Sequence, residues 1–225
     1  MRVFSLIAIL LLVGCSSTPS SNIPEETENK RYSGFLADYS HLTVVDSDDS
    51  DHVQRYVSPL LSTRGYTKLM LDPISFYPAP PVTDQASAET LTDIAKYANQ
   101  YMFELLKDKD YFTTEPGENT LRLKIALTAV SMQDKELSAY QYIPIAFVAN
   151  AVRGGLDDLE IALQVESETV DSLTGEPLMQ SVRRGIAGTL DSTEAQLTVD
   201  TVKPLLERWS NTAEAMSQQL FDSNK

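Results

Sequence analysis

Residues 159–186 read LEIALQVESETVDSLTGEPLMQSVRRGI, and the period of this stretch decides the fold. Leu159, Ile161, Leu163 and Val165 alternate with Glu160, Gln164 and Glu166, the two-residue period of a strand with one buried and one wetter face. Asp171-Ser172-Leu173-Thr174-Gly175 then supplies an aspartate that can bond its own backbone and a glycine that can take positive φ. Leu178 to Ile186 returns as a second strand, so the stretch predicts a hairpin. Its register should bring Arg183 and Arg184 back near Glu166 and Glu168 as exposed cross-strand charge pairs.

Working outward, Leu121, Leu123, Ile125, Leu127 and Ala129 alternate with Arg122, Lys124, Ala126 and Thr128, which predicts another strand. Lys68 to Phe76 is apolar between Gly65 and the prolines 78, 80 and 81, and reads as a strand with Pro73 at a bulge or edge. In Ser33 to Leu42, Phe35 and Leu36 should pack on the core. Asp46 to Asp51 should be a solvated surface loop.

Two segments carry the helical period instead. From about Ser87 to Lys107, Leu91, Ile94, Ala95, Ala98, Tyr101, Met102 and Leu105 recur at three and four. Roughly Thr201 to Phe221 places Val202, Leu205, Leu206, Trp209, Ala213, Met216 and Leu220 on one side, with Pro204 in its first turn. The order strand, helix, strand, hairpin, helix predicts an α+β two-layer domain: a small, mostly antiparallel sheet with two amphipathic helices on one face.

The N-terminus is of another kind. Arg2 precedes an apolar run, Phe4 to Val13, too short to stay in a bilayer as a span, and Leu12-Val13-Gly14-Cys15 has the form of a lipobox. These residues predict a leader over 1–14 that is removed, a lipidated Cys15, a flexible tether to residue 31, and a single domain over 32–225. Burying each methylene of the attached acyl chains contributes about 0.8 kcal/mol, enough for a durable anchor once several chains are present. Ser16, where an aspartate would favour inner-membrane retention, points to the outer membrane of a Gram-negative cell, facing the periplasm.

The chain has 225 residues and a net charge of −14; with Arg2 removed, 17 basic residues face 32 acidic ones, a net charge near −15. Such a surface is a poor partner for nucleic acid or anionic lipid. Cys15 is the single cysteine, so no disulfide or thiolate metal site is expected.

Candidate chemistry is sparse. His41 and His52 are the only histidines, and no G-x-S-x-G turn accompanies them. Asp46, Asp48, Asp49, Asp51 and His52 could offer oxygen ligands to Ca²⁺, but the loop lacks the glycine and closing glutamate of an EF-hand; Val57 stands at position twelve. Asp108, Asp110, Glu115 and Glu118, near Tyr111 and Phe112, could be offered as paired carboxylates for glycan chemistry, although solvated charge is the simpler reading. Tyr140, Tyr142 and the apolar stretch Ile143 to Val152 before Gly154-Gly155 could form a partner-binding surface.

Ser33-Gly34-Phe35-Leu36 with Asp38-Tyr39-Ser40 and Leu42, then Leu71-Asp72-Pro73, Thr120-Leu121-Arg122-Leu123 and Asp171-Ser172-Leu173-Thr174-Gly175-Glu176, in this order behind a lipobox, resemble the bacterial lipoprotein family catalogued as domain of unknown function 3313. The resemblance implies a lipoprotein of the envelope and brings no activity, ligand or catalytic residue. The element order is loosely similar to small α+β domains of outer-membrane lipoproteins, which fixes no function. The expectation is therefore a non-catalytic binding or scaffolding module with no cofactor, metal or catalytic residue. Its partners would be membrane lipid through acylated Cys15 and another envelope protein. The alternative is an enzyme or small-ligand binder acting on cell-wall glycans or lipids.

Overall fold

The computed structural model describes residues 32–47, 51–79, 82, 86–134, 159–190 and 196–223. Seven strands form one sheet: β1 (Thr43–Val45), β2 (His52–Val57), β3 (Lys68–Leu71), β4 (Ser75–Phe76), β5 (Thr120–Asp134), β6 (Leu159–Asp171) and β7 (Pro177–Leu190). The helices are α1 (Leu60–Thr63), α2 (Ala88–Leu106) and α3 (Val199–Ser223). The strands lie in the order β1-β2-β7-β6-β5-β3, with β4 also on β5. All pairings are antiparallel except those of β3 and β4 with β5.

The α+β class and the mostly antiparallel sheet agree with the reading of the sequence, as do the two long helices. Ser87 caps α2 by accepting a hydrogen bond from the Thr90 amide, and α2 buries Leu91, Ile94, Ala98, Met102 and Leu106. α3 buries Val202, Leu205, Leu206, Trp209 and Phe221. Both stripes join the core cluster with Leu121, Leu123, Leu127, Ile161 and Leu163, so both helices cover the same face of the sheet.

The structure corrects four details. Lys68 to Phe76 is two short strands, because Pro73 cannot donate to a ladder and the chain between them turns to bond Asn99 through Ile74. The sequence reading left out β1, β2 and the single turn α1. β2 is short, with an irregular burial pattern, so it has too few alternations to stand out.

The third correction concerns the hairpin, where Asp171 and Gly175, at φ +74°, form the turn as expected. The pairing, however, sets Glu166 opposite Val182 and Glu168 opposite Gln180, while Arg183 faces Val165 and Arg184 faces Gln164. Counted back from the closure of the turn at Asp171 and Glu176, both arginines fall beyond Glu166 on β6, and the irregularity between Thr169 and Val170 moves them by only one place. Glu166 is buried at 0 % exposure and Glu168 pairs with Lys124 at 3.2 Å, so the expected arginine pairs do not form.

The fourth is Asp51. Read as the end of a solvated loop, it instead has a side chain only 1 % exposed, held by Arg183 and Arg208.

Candidate functional site

The helix-facing side of the sheet follows from the register. Leu127, Val165, Arg183 and Val53 form one row across β5, β6, β7 and β2; Ile125, Ser167, Ser181 and Arg55 form the next; Leu123, Thr169, Met179 and Val57 the third. Along β6 the residues on this face shrink from Ile161, Leu163 and Val165 to Ser167 and Thr169. The stripe of α3 thins in parallel, from Trp209 to Ala213, Met216 and Ser217. Small side chains on both walls leave room between the layers, and a cleft of about 610 Å³ opens there.

Its lining is mainly apolar, with Leu69, Leu121, Leu123, Ile125, Leu127 and Met102 toward β3 and α2. Among the described residues its only charged members are Arg55 and Arg183, at the β2 and β7 side. Arg183 donates through Nε to Asp51 Oδ2 at 2.9 Å and lies 5.9 Å from the Trp209 ring. Asp51 also accepts from Arg208 Nη2 at 2.7 Å and from Trp209 Nε1 at 2.6 Å, so one carboxylate ties β2 to β7 and α3. Gly185 is required beneath it, because a Cβ there would overlap Asp51 Oδ1 and press on Trp209.

Arg55 is different. Its Nε is buried and has no hydrogen-bond partner among the described residues. Burial, and then repulsion by Arg183, pull this guanidinium below its ordinary pKa.

The opposite face of the sheet holds a second polar cluster. Glu166 Oε1 accepts from the Ser33 amide at 3.0 Å and from Gln164 Nε2 at 2.9 Å, and its Oε2 accepts from the Tyr39 hydroxyl at 2.6 Å. Gln164 reaches Thr128, which the β5 bulge leaves outside the ladder, and accepts from Arg184. Burial, then the hydrogen bond to Glu166, push the Tyr39 phenol far above its ordinary pKa. This cluster fastens Ser33 to Ser40 across the sheet, with Leu36 buried and Phe35 half-buried against Tyr77.

The other sequence blocks are joints as well. Asp72 and Arg122 form a two-pronged ion pair, both contacts at 2.8 Å, and Asp171 accepts from Leu173, Thr174 and Tyr66.

The remaining candidates do not converge. His41 is exposed beside Asp38 at 3.5 Å, while His52 lies on β2. Asp108, Asp110, Glu115 and Glu118 are all exposed and line none of the cleft. Tyr111 is buried against Phe221. Asp46 is exposed, and no group of three or more metal-ligating side chains exists among the described residues. Cys15, Asp48, Asp49 and the Tyr140 to Gly155 segment lie outside the described residues. The cleft was missed because alternation reports which face a residue is on. The fall in side-chain volume at Ser167, Thr169 and Ser181 was its only sequence signal.

A family model described as a protein of unknown function, DUF3313, matches residues 31–213. The uncharacterized lipoprotein YdcL of Escherichia coli K12 is 27 % identical over 226 residues, covering 100 % of this chain and 96 % of that protein. Among solved structures, a PelC dodecamer from Paraburkholderia phytofirmans aligns with a TM-score of 0.32 and 11 % identity, over 69 % of this chain and 93 % of that one. A DUF4136 family protein from Bacteroides thetaiotaomicron aligns with a TM-score of 0.33 and 12 % identity, over 79 % and 100 %.

Proposed function

We propose a function from one premise: the chain belongs to the DUF3313 family of proteins of unknown function. It is a lipoprotein of the cell envelope, anchored through acylated Cys15 and spaced from the membrane by residues 16–31. Its domain is a non-catalytic module that binds a hydrophobic ligand in the cleft between the sheet and α3. The anchor is supported by the lipobox at Leu12 to Cys15 and by the name of the Escherichia coli relative. Ser16 favours the outer membrane, with the domain facing the periplasm.

The cleft is the observation that carries the binding role. Its volume lies within the roughly 300–1,000 Å³ typical of small-molecule sites, and an apolar lining with few polar groups is the usual composition of such sites. A concave site favours a small ligand over a flat protein-docking surface. Of the roles expected from the sequence, the cleft therefore favours the ligand-binding half of the alternative, at a place other than the acidic residues near Tyr111.

Two measurements test this. Cells expressing wild type and Cys15→Ala are fractionated, and the mature N-terminus is analysed by mass spectrometry. Membrane-bound wild type with acylated Cys15, and a released or uncleaved variant, is the expected result; two soluble proteins cleaved elsewhere would remove the anchor. Separately, the mature polypeptide is titrated with a fluorescent apolar dye. One saturable site is expected, weakened at least about tenfold when Ser217→Phe fills the α3 wall. Dye binding that is absent or indifferent to this substitution would remove the cleft as the site.

A further inference from the structure

We propose that the ligand of the cleft is a single-chain fatty acid, its carboxylate held by Arg55 and its chain laid along the apolar wall toward β5. The inference rests on the binding role above and names the chemistry of what is bound. It begins with the row Ile125, Ser167, Ser181, Arg55, which passes from apolar through hydroxyl to cation across four neighbouring strands. A ligand lying along that row meets hydrocarbon at one end, and at the other a charge with two hydroxyls beside it.

The cation itself is incompletely satisfied. Its Nε is shut off from solvent and has no acceptor among the described residues, so the protein leaves part of this cation uncompensated, and a carboxylate in the cleft that Arg55 lines would offset part of that cost. Arg183, a diagonal neighbour on the same face, cannot serve equally, because its Nε already donates to Asp51. Nor does the protein supply an anion: no carboxylate lines the cleft among the described residues, although the chain carries 32 acidic residues and a net charge of −14. The cleft is thus a local positive site in an acidic molecule.

A single guanidinium fork matches a monoanionic carboxylate, whereas a phosphate monoester brings more charge than one available arginine balances. Leu123, Ile125 and Val165 below, with Met216 and Leu220 above, would bury the chain.

Calorimetry tests the assignment, using the mature polypeptide 15–225 with Cys15→Ala so that it carries no lipid of its own. It is titrated with dodecanoate, dodecanol and dodecyl phosphate below their aggregation limits. Dodecanoate should bind one per chain, at least about tenfold tighter than dodecanol. Arg55→Gln should lower dodecanoate to the level of dodecanol and leave dodecanol unchanged, and Arg55→Lys should restore most of the preference. Unfolding midpoints of both variants confirm that the domain is intact. Equal affinity for dodecanoate and dodecanol, or a preference that survives Arg55→Gln, overturns the carboxylate assignment while leaving the cleft as a hydrophobic site. Tighter binding of dodecyl phosphate than of dodecanoate overturns the choice of head group. Failure of all three ligands to bind overturns the binding role itself.

Discussion

Asp51 shows how one carboxylate can organise a domain. Its side chain is 1 % exposed and takes hydrogen bonds from Arg183, Arg208 and Trp209, which arrive from a strand and a helix that lie far from Asp51 in sequence. Removing one member of a buried ion pair leaves its partners desolvated and uncompensated, and this costs more than the pair contributes in net terms. Asp51→Asn is therefore expected to lower stability by about 3 kcal/mol, read as a fall in the urea midpoint at unchanged slope. A loss below about 0.5 kcal/mol, the usual scale of surface substitutions, would mean that the site is solvated after all. Nothing in the run Asp46 to Asp51 distinguishes its last aspartate from the others, because the distinction is made by which residues later pack against it.

At the scale of elements, the β6–β7 hairpin was legible in its turn and not in its register. Asp171 accepts amide hydrogens from Leu173 and Thr174 at 3.0 and 2.9 Å and the Tyr66 hydroxyl at 2.9 Å. The hydrogen bond from Thr174, foremost, holds its carboxyl below the ordinary value of 3.8. A carboxyl depressed in the folded state stabilises it above the unfolded pKa, and that stability is lost as pH falls through the folded one. The urea midpoint should therefore decline below about pH 4, and Asp171→Asn should flatten that part of the profile. An acid limb identical in the two proteins would show that the turn is not coupled to folding. The turn chemistry is local, within five residues, and so could be read directly. Counting both arms back from that turn carries Arg183 and Arg184 past Glu166, and the shift between Thr169 and Val170 moves them by only one place, to Val165 and Gln164.

For the molecule as a whole, the start of the domain is fastened on one face of the sheet and the cleft opens on the other. Glu166 is the fastening point, holding the Ser33 amide and the Tyr39 hydroxyl on the face away from the helices. The first described residues therefore lie on the face away from the cleft. Glu166→Ala should release the opening block while the rest of the sheet stays folded. Limited proteolysis should then cut between residues 32 and 42 several-fold faster, with little change elsewhere. Cleavage at the wild-type rate would show that other contacts hold the segment.

The sequence by itself determined the strands of the central hairpin and β5, both long helices, the α+β class and the family, because each rests on periodicity or on motifs contained within one segment. The form of the lipobox is local in the same way. Only the tertiary structure decided that Asp51 and Glu166 are buried hubs, that Asp72 meets Arg122, and that small residues on β6, β7 and α3 coincide to leave a cleft with Arg55 in its wall. Burial and cavity depend on which side chains from distant segments share one volume. A linear pattern specifies the face on which a residue lies, and packing specifies what that face meets.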